Sequence, residues 1–477
     1  MRREPRLRLR ARADRRVAIG VIVGGALFDI AGRGRVASVS ATIWIMAVAA
    51  AVLLSGRVRG RTGRVCLASA PMLGILLTFR TSPWVTIPAI AAVTGLFLLG
   101  ASFGADGGGS GATFPALWVR GGLAVAHLAL APGMMPLSGH RGTTKAAGRP
   151  AITSTTVALL VGLPVLLAVA VLLAAADPIF RSWFSLAAVP RHLILVAAGA
   201  WIVAGLIRAA SAERPMPAMP AAPSAGVAGC AFVLAGLCAL YAAFACAQLV
   251  ALSGAGHRIL VTHGLTYATY ARSGFFELLG CAAITLLVLV GARAFAGRSS
   301  RALTVLSAIT IALTIVIVIA AIRRLELYEA AYGLTMLRLA CLVAAAWIGL
   351  VFVLLGSTLP GRGLPSRAFP AAFIASGLVL IAGWGAANPA SIVASTNLRR
   401  AEHGHALDVR QTASLGSDAV PAIVAGLNHL GPAAALLRAK VCRDLRQPNA
   451  GASFNVSTAR SRDALASACG ARGPRSW

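Results

Sequence analysis

Acidic residues are scarce in this 477-residue chain: 14 Asp and Glu stand against 44 Lys and Arg, a formal net charge of +30. Charge of either sign is thin, at 12% of residues, where a soluble globular domain carries about 25%. With 58% hydrophobic residues and a mean hydropathy of +0.80, a water-soluble globule is excluded. A disordered chain, which needs low hydrophobicity, goes with it. Cysteine is sparse, eight over the whole length, so a small disulfide scaffold fails. The 50 glycines show no triplet period, which removes collagen-like architecture. Only Lys145 and Lys440 are lysines, a bias that fits a GC-rich bacterial genome better than any physical demand. What remains is an all-α, polytopic integral membrane protein.

The basic residues punctuate apolar runs instead of forming one patch. Eight Arg fall between Arg2 and Arg16, and Arg57, Arg59, Arg61 and Arg64 follow the second run. That is the positive-inside pattern of cytoplasmic segments beside spans. Nucleic acid is not expected as a partner, because the N-terminal basic run has no aromatic platform for bases. The lipid bilayer is.

A span needs about 20 mainly apolar residues. Runs of that kind are Val17–Ala31, Ala37–Ser55, Val65–Phe79, Trp84–Ala101, Ala151–Ala176, Leu193–Ala210, Gly226–Ala255, Phe275–Ala296, Ala302–Ile322, Thr335–Leu355 and Phe369–Ala387. These make about eleven transmembrane helices. No small-x-small cleavage site follows the first run, so it reads as a retained helix and not a signal peptide. Pro71 points to a broken third segment. Thr113–Met135 is ambiguous: Arg120 and His127, seven apart, share a helical face and suit an interfacial helix.

The organisation expected is a basic cytoplasmic tail at 1–16, a first group of helices at 17–103, and a Gly-rich linker, interfacial helix and basic loop at 104–150. A helix pair at 151–210, a Pro/Ala/Met-rich linker at 211–225 and a C-terminal bundle at 226–387 follow. The polar segment 388–477 reads as a small soluble tail of about two or three helices, including Ser391–His403, stopped by Gly404, and Pro432–Leu445. With the N-terminus inside, this parity puts the tail outside the cytoplasm of a bacterial plasma (inner) membrane. From Asp177 onward the loops of the two sides carry equal numbers of basic residues, so orientation rests on the first 150 residues and on parity.

Two cysteines, Cys442 and Cys469, lie in the tail, away from the spans. A disulfide between them would require an oxidising compartment; two unrelated thiols are the other reading. Asp29 is the lone acid in the first run, with Arg33 or Arg35 in reach as a pairing partner at the interface.

Polar groups collect at one face. Glu277, Arg323, Arg324, Glu326, Glu329 and Arg338 join Tyr267, Tyr270, Arg272, Tyr328 and Tyr332 on two short segments, Thr262–Glu277 and Arg323–Arg338. Glu326, Glu329 and Tyr332 follow one another at three-residue steps, so they share a helix side. These residues form either an aromatic belt with anchoring ion pairs or the walls of a polar cup that binds an anion. No phosphate loop, HExxH, CxxC pair or GxSxG elbow occurs. His403 and His405 alone make a weak metal pair. No cofactor or metal is expected, and no catalytic residue is assigned.

The segments GLTYATYARSGFFELL (Gly264–Leu279) and RRLELYEAAYGLTMLRL (Arg323–Leu339) resemble the signature segments of a bacterial membrane family, domain of unknown function 4173, related to family 4153. The tail segment NLRRAEHGHALDVRQTASLGSDAVPAI (Asn397–Ile423) is similar to that family's N-x-x-R...G...LD...LGxDAVP pattern. The resemblance is good from about Gly226 to Leu445 and thin before Ala151. Thr269 stands where the family often has Glu, and Ser273 where it often has a basic residue. Membership implies a multi-pass inner-membrane protein with no established activity, and it transfers no catalytic residue.

The residues therefore favour a non-enzymatic envelope scaffold or signalling partner that engages another envelope protein through the tail and outer loops. A transporter or flippase of a small or lipidic anion, using Arg272, Arg323, Arg324 and Arg338, is the main alternative. A membrane transferase with Glu277 or Glu329 as base comes third. Ligand, partner identity and oligomeric state are not encoded in any motif.

Overall fold

The computed structural model describes residues 4–34, 36–104, 113–129, 191–211, 226–252, 275–295, 300–360, 364–430, 432–442 and 453–469. The described residues form helices and no strand. Among the described residues, eight helical segments, with the interrupted Arg61–Phe79 taken as one, are long and apolar enough to cross a membrane, and two shorter apolar helices, Val39–Leu54 and Ala116–Ala129, accompany them. The expected span Ala151–Ala176 and the linker 211–225, save Ser211, lie outside the described residues. The chain divides into two units, residues 1–214 with 448–459 and residues 215–447 with 460–477.

In the first unit, α1 (Glu4–Arg33) is a single 30-residue helix. The basic segment expected as a separate tail thus continues the first apolar run without a break from Glu4. Antiparallel to α1 packs α7 (Arg191–Ser211). Lipid tails are as apolar as Leu, so close approach and polar bonds, not water exclusion, hold such pairs. Glycine provides the approach: a Cβ at Gly25 would stand 2.6 Å from the Val196 carbonyl, and one at Gly199 would collide with Phe28. At the end of this contact Asp29, 4% exposed, accepts from Arg33 Nε at 3.1 Å and bonds His192 Nδ1 at 2.7 Å. Arg33 is a partner foreseen in the sequence; His192, 163 residues away, is an addition.

Beside α1 lies α2 (Val39–Leu54), which packs on α3 (Arg61–Gly74) and α4 (Leu76–Phe79). Pro71 sits inside α3, where its missing N–H leaves the Leu67 carbonyl without a donor four residues on, and the helix is interrupted at Ile75, one turn later. Thr78 N–H then bonds Ile75 O at 3.0 Å, and the Gly74 carbonyl accepts from the Thr42 hydroxyl at 2.9 Å. A freed carbonyl is thereby paired away from lipid. The proline-started α5 (Pro83–Ser102) follows, then α6 (Phe114–Ala129), which packs on α5 and α7. At 16 residues, about 24 Å long, α6 is short for a span. Arg120 Nη1 donates to Ser102 O at 3.2 Å, and Trp201 Nε1 donates to Leu128 O at 2.8 Å.

The second unit contains α8 (Gly226–Leu252), α9 (Phe275–Phe295), α10 (Arg301–Tyr332), α11 (Met336–Ser357) and α12 (Phe369–Ala387), the last preceded by a 3-10 turn at Ser366–Ala368. Polar side chains pair inside this bundle: Tyr241 OH with Thr285 Oγ1 at 2.5 Å, and Cys238 Sγ with Thr310 Oγ1 at 3.2 Å. Arg293, near the end of α9, donates to Leu355 O at 3.1 Å and to Thr358 Oγ1 at 2.8 Å, which caps the end of α11. The 32 residues of α10 make a rod of about 48 Å, against about 30 Å of bilayer core. Its apolar run stops at Ile322, so Arg323–Tyr332 extends about 15 Å farther.

The described residues of the tail form five helices, more than the two or three expected: α13 (Pro389–Glu402), α14 (Val409–Ala413), α15 (Val420–Gly426) with a 3-10 turn at Leu427–His429, α16 (Pro432–Val441) and α17 (Val456–Ala468). Two of the extra ones are only five and seven residues long. Isolated helices that short do not persist, so their cause is packing, which periodicity in a sequence does not reveal. Leu398, Val420, Ile423, Leu427, Leu437 and Leu465 fill a common core. Gly404, at φ 86°, follows the end of α13, the stop expected there.

Candidate functional site at the α10–α11 turn

The bundle and the tail helices meet at one turn. Antiparallel alternation brings the start of α9, the end of α10, the start of α11 and the end of α12 to the same end of the second unit. The turn between α10 and α11, Gly333–Thr335, starts with Gly333 at φ 79°, ψ 173°, a region open essentially to glycine alone. Thr335 caps α11 by accepting from Arg338 N at 3.2 Å.

Leu334 and Met336 are members of the tail's own apolar core. Between them and α13 the recognition is of backbone: Asn397 Oδ1 accepts from Leu334 N at 2.9 Å, and Asn397 Nδ2 donates to Leu334 O at 2.8 Å. Gln411 Nε2, from α14, donates to the same carbonyl at 3.1 Å. A Cβ on Gly333 would stand 3.1 Å from Asn397 Oδ1. Asn388, the one non-glycine residue with positive φ among those described, turns the chain from α12 into α13. Its side chain donates to Asp418 O at 2.8 Å and caps Ser391 N at 3.4 Å.

Several residues singled out in the sequence lie around this turn. Arg338 donates to Gly333 O and places its guanidinium 4.2 Å from the Tyr328 ring centroid. Tyr328 in turn lies 4.9 Å from Tyr332, centroid to centroid. Arg323 Nη1 donates to Glu326 at 3.1 Å, with both side chains exposed. Half-buried Glu329 has Arg400, Arg338 and Glu326 as its charged neighbours. Arg324 is half-buried on the same helix. Glu277 stands exposed in the first turn of α9, at this end of the bundle by helix alternation. Tyr267, Tyr270 and Arg272 lie outside the described residues.

Asn397, Arg400 and Gln411 were not singled out from the sequence. Asn397 and Arg400 belong to the NLRR start of the tail resemblance, so the signal was a pattern with no partner attached. Cys442 and Cys469 are bonded, with Cα atoms 6.0 Å apart. His403 Nδ1 bonds Arg399 O at 2.7 Å, and no group of three His, Cys, Asp or Glu that could hold a metal occurs among the described residues. The turn thus joins the bundle to the tail helices by amide–backbone hydrogen bonds, with the Arg338 guanidinium and the Tyr328 and Tyr332 rings stacked beside it.

No curated protein and no solved structure matches the chain. A family match covers residues 67–426 and is to family 4153; the related family 4173, to which the signature segments were likened, is not the one matched. With three-quarters of its length inside that match, this multi-pass membrane protein belongs to the family described as Domain of unknown function (DUF4153).

Proposed function

We propose that this protein is a non-enzymatic scaffold or signalling partner of the bacterial plasma membrane. It holds a small helical domain in a fixed pose at the extracytoplasmic surface and offers that domain to another envelope protein. The observation that carries the reading is the two-way amide contact of Asn397 with Leu334. A tail joined to its bundle through both backbone groups of Leu334, with Leu334 and Met336 built into its core, is suited to report or transmit a pose. The bonded pair Cys442–Cys469 supports an oxidising, hence extracytoplasmic, location. The N-terminus is then cytoplasmic.

The geometry speaks less for an anion transporter. Arg338, a residue that role would use, is engaged with Tyr328 and the Gly333 carbonyl.

The test compares the full chain with one ending at Ala387, each cross-linked in intact cells and purified. Envelope proteins recovered with the full chain and lost from the truncated one support the proposal. Identical partners and phenotype refute it. Solute uptake by vesicles that is abolished by Arg323→Ala would favour the transport reading instead. Reporter fusions after Leu355 and after Trp477 fix the sidedness, and cytoplasmic activity after Trp477 would overturn it.

A further inference from the structure

Arg57, Arg59, Arg61 and Arg64 lie on the connector from α2 to α3 and on the first turn of α3, all within the first unit. All four are exposed, while Val58 and Gly60 between them are buried. Burial thus alternates residue by residue, and Arg57, Arg59 and Arg61 share the outward side of the connector. Arg64, three on from Arg61, continues that side onto the helix.

The connector is held in this shape. Gly56 turns the chain at φ 71°, Arg57 N donates to Ser55 Oγ at 3.3 Å, and Arg59 N donates to Gly104 O at 2.8 Å. Arg64 Nε donates to Val58 O at 3.2 Å. A Cβ at Gly63 would stand 2.9 Å from the Gly100 carbonyl, so α3 starts hard against the end of α5. Arginines that only orient a span need no fixed backbone; these have one.

Their counter-charge does not come from the helices they join. No Asp or Glu occurs between Asp29 and Asp106, the stretch that contains α2 to α5. At the opposite end of the unit Arg33 pairs with Asp29, whereas among the described residues no ion pair engages the four connector arginines. Arg120, whose guanidinium lies 4.8 Å from the Phe103 ring centroid, adds a further cation at this end. Asp14 and Asp106, whose side chains are outside those described, leave a basic excess here even with both paired to it. Like charges so close repel unless an anion stands among them.

The apolar run of α2 ends at Ser55 and that of α3 begins at Val65, which sets the connector at the level of the phospholipid phosphates. No aromatic residue occurs between Trp44 and Phe79 on which a nucleic-acid base could stack. Guanidinium forks match phosphate oxygens. A zwitterionic lipid brings its own ammonium to its phosphate; an anionic one leaves that place to the protein.

We infer that the α2–α3 connector is a headgroup site for anionic phospholipid, with Arg57, Arg59, Arg61 and Arg64 on the lipid phosphates. This holds whichever leaflet adjoins it and whatever the tail binds.

Native mass spectrometry of the full-length protein tests it. The protein is reconstituted in nanodiscs of equimolar phosphatidylglycerol and phosphatidylcholine, then released into mild detergent with its retained lipid. That lipid should be mainly phosphatidylglycerol. The triple variant Arg57→Gln, Arg59→Gln, Arg61→Gln keeps the backbone bonds of the connector and should lower the preference about fivefold for each guanidinium removed. The same three positions changed to Lys should keep part of it. Arg399→Gln, Arg410→Gln, Arg438→Gln removes equal charge from exposed tail positions and should leave it unchanged. Equal retention of the two lipids by the wild type overturns the inference, as does an unaltered preference in the connector Gln triple. An equal loss in the tail triple overturns it as well, because net charge and not this site then selects the lipid. So does a Lys triple as weak as the Gln one. An oligonucleotide or acidic peptide bound in place of lipid, and lost in the Gln triple, would assign the arginines to a soluble polyanion instead.

Discussion

Asn397 pairs with both backbone polar groups of one residue, accepting from Leu334 N and donating to Leu334 O across 63 positions of sequence. Leu334 is 3% exposed, so neither group has water as a substitute partner. Asn397→Ala leaves the Leu334 N–H orphaned, while Gln411 still serves the carbonyl. A cost of about 1–3 kcal/mol is expected. Limited proteolysis at the Gly404–Ala406 bend should quicken, and Gln411→Ala should have the smaller effect. Equal resistance in wild type and Asn397→Ala would remove the contact from any role in holding the tail.

Gly333→Ala combines two penalties. A side chain at φ 79°, ψ 173° costs on the order of 1–3 kcal/mol, and the new methyl group meets Asn397 Oδ1. The variant should melt below Asn397→Ala in detergent. A melting point equal to wild type would show that the turn relaxes freely.

Arg338 acts through shape as well as charge. Its plane lies over Tyr328 while one nitrogen reaches Gly333 O. Arg338→Lys keeps the charge and loses the flat stacking surface, so it should recover little of the stability lost in Arg338→Ala. Full recovery by Lys, read from thermal unfolding, would reduce the interaction to a point charge.

In the first unit, Gly199→Val should separate α1 from α7, because a Cβ there already overlaps Phe28. Overpacking of this kind costs about 1–3 kcal/mol. Lower yield of folded protein in mild detergent is the expected readout, and Gly236→Val, on the second unit where nothing lies within 4 Å, is the matched control.

An impermeant maleimide distinguishes an extracytoplasmic tail from a cytoplasmic one. In intact cells the tail should add no label until an impermeant reductant opens Cys442–Cys469, and then two labels. Labelling that requires lysis even after reduction places the tail inside.

The membrane class and most spans were legible because they depend on local composition: α5, α11 and α12 begin and end within three residues of their apolar runs. The stop at Gly404 was legible for the same reason, since a left-handed glycine acts within a turn of itself; Pro71 marked an interrupted segment whose break falls four residues later, at Ile75. The second signature segment drew attention to Tyr328, Glu329 and Arg338, yet its partner residue Asn397 read only as part of another pattern. Asn455 left no trace at all. Its bond to Ala37 spans 418 positions, and a single buried Asn in a polar stretch looks like any loop residue. Long-range pairing by one side chain has no periodicity to detect.

Between Arg301 and Tyr332 there is neither glycine nor proline. Helices bend sharply at such residues and at π-bulges; the first are missing by sequence, and Arg301–Tyr332 is α-helical throughout. A displacement of the turn that holds Leu334 is therefore expected to move α10 as one continuous piece, Thr310 and its partner Cys238 included.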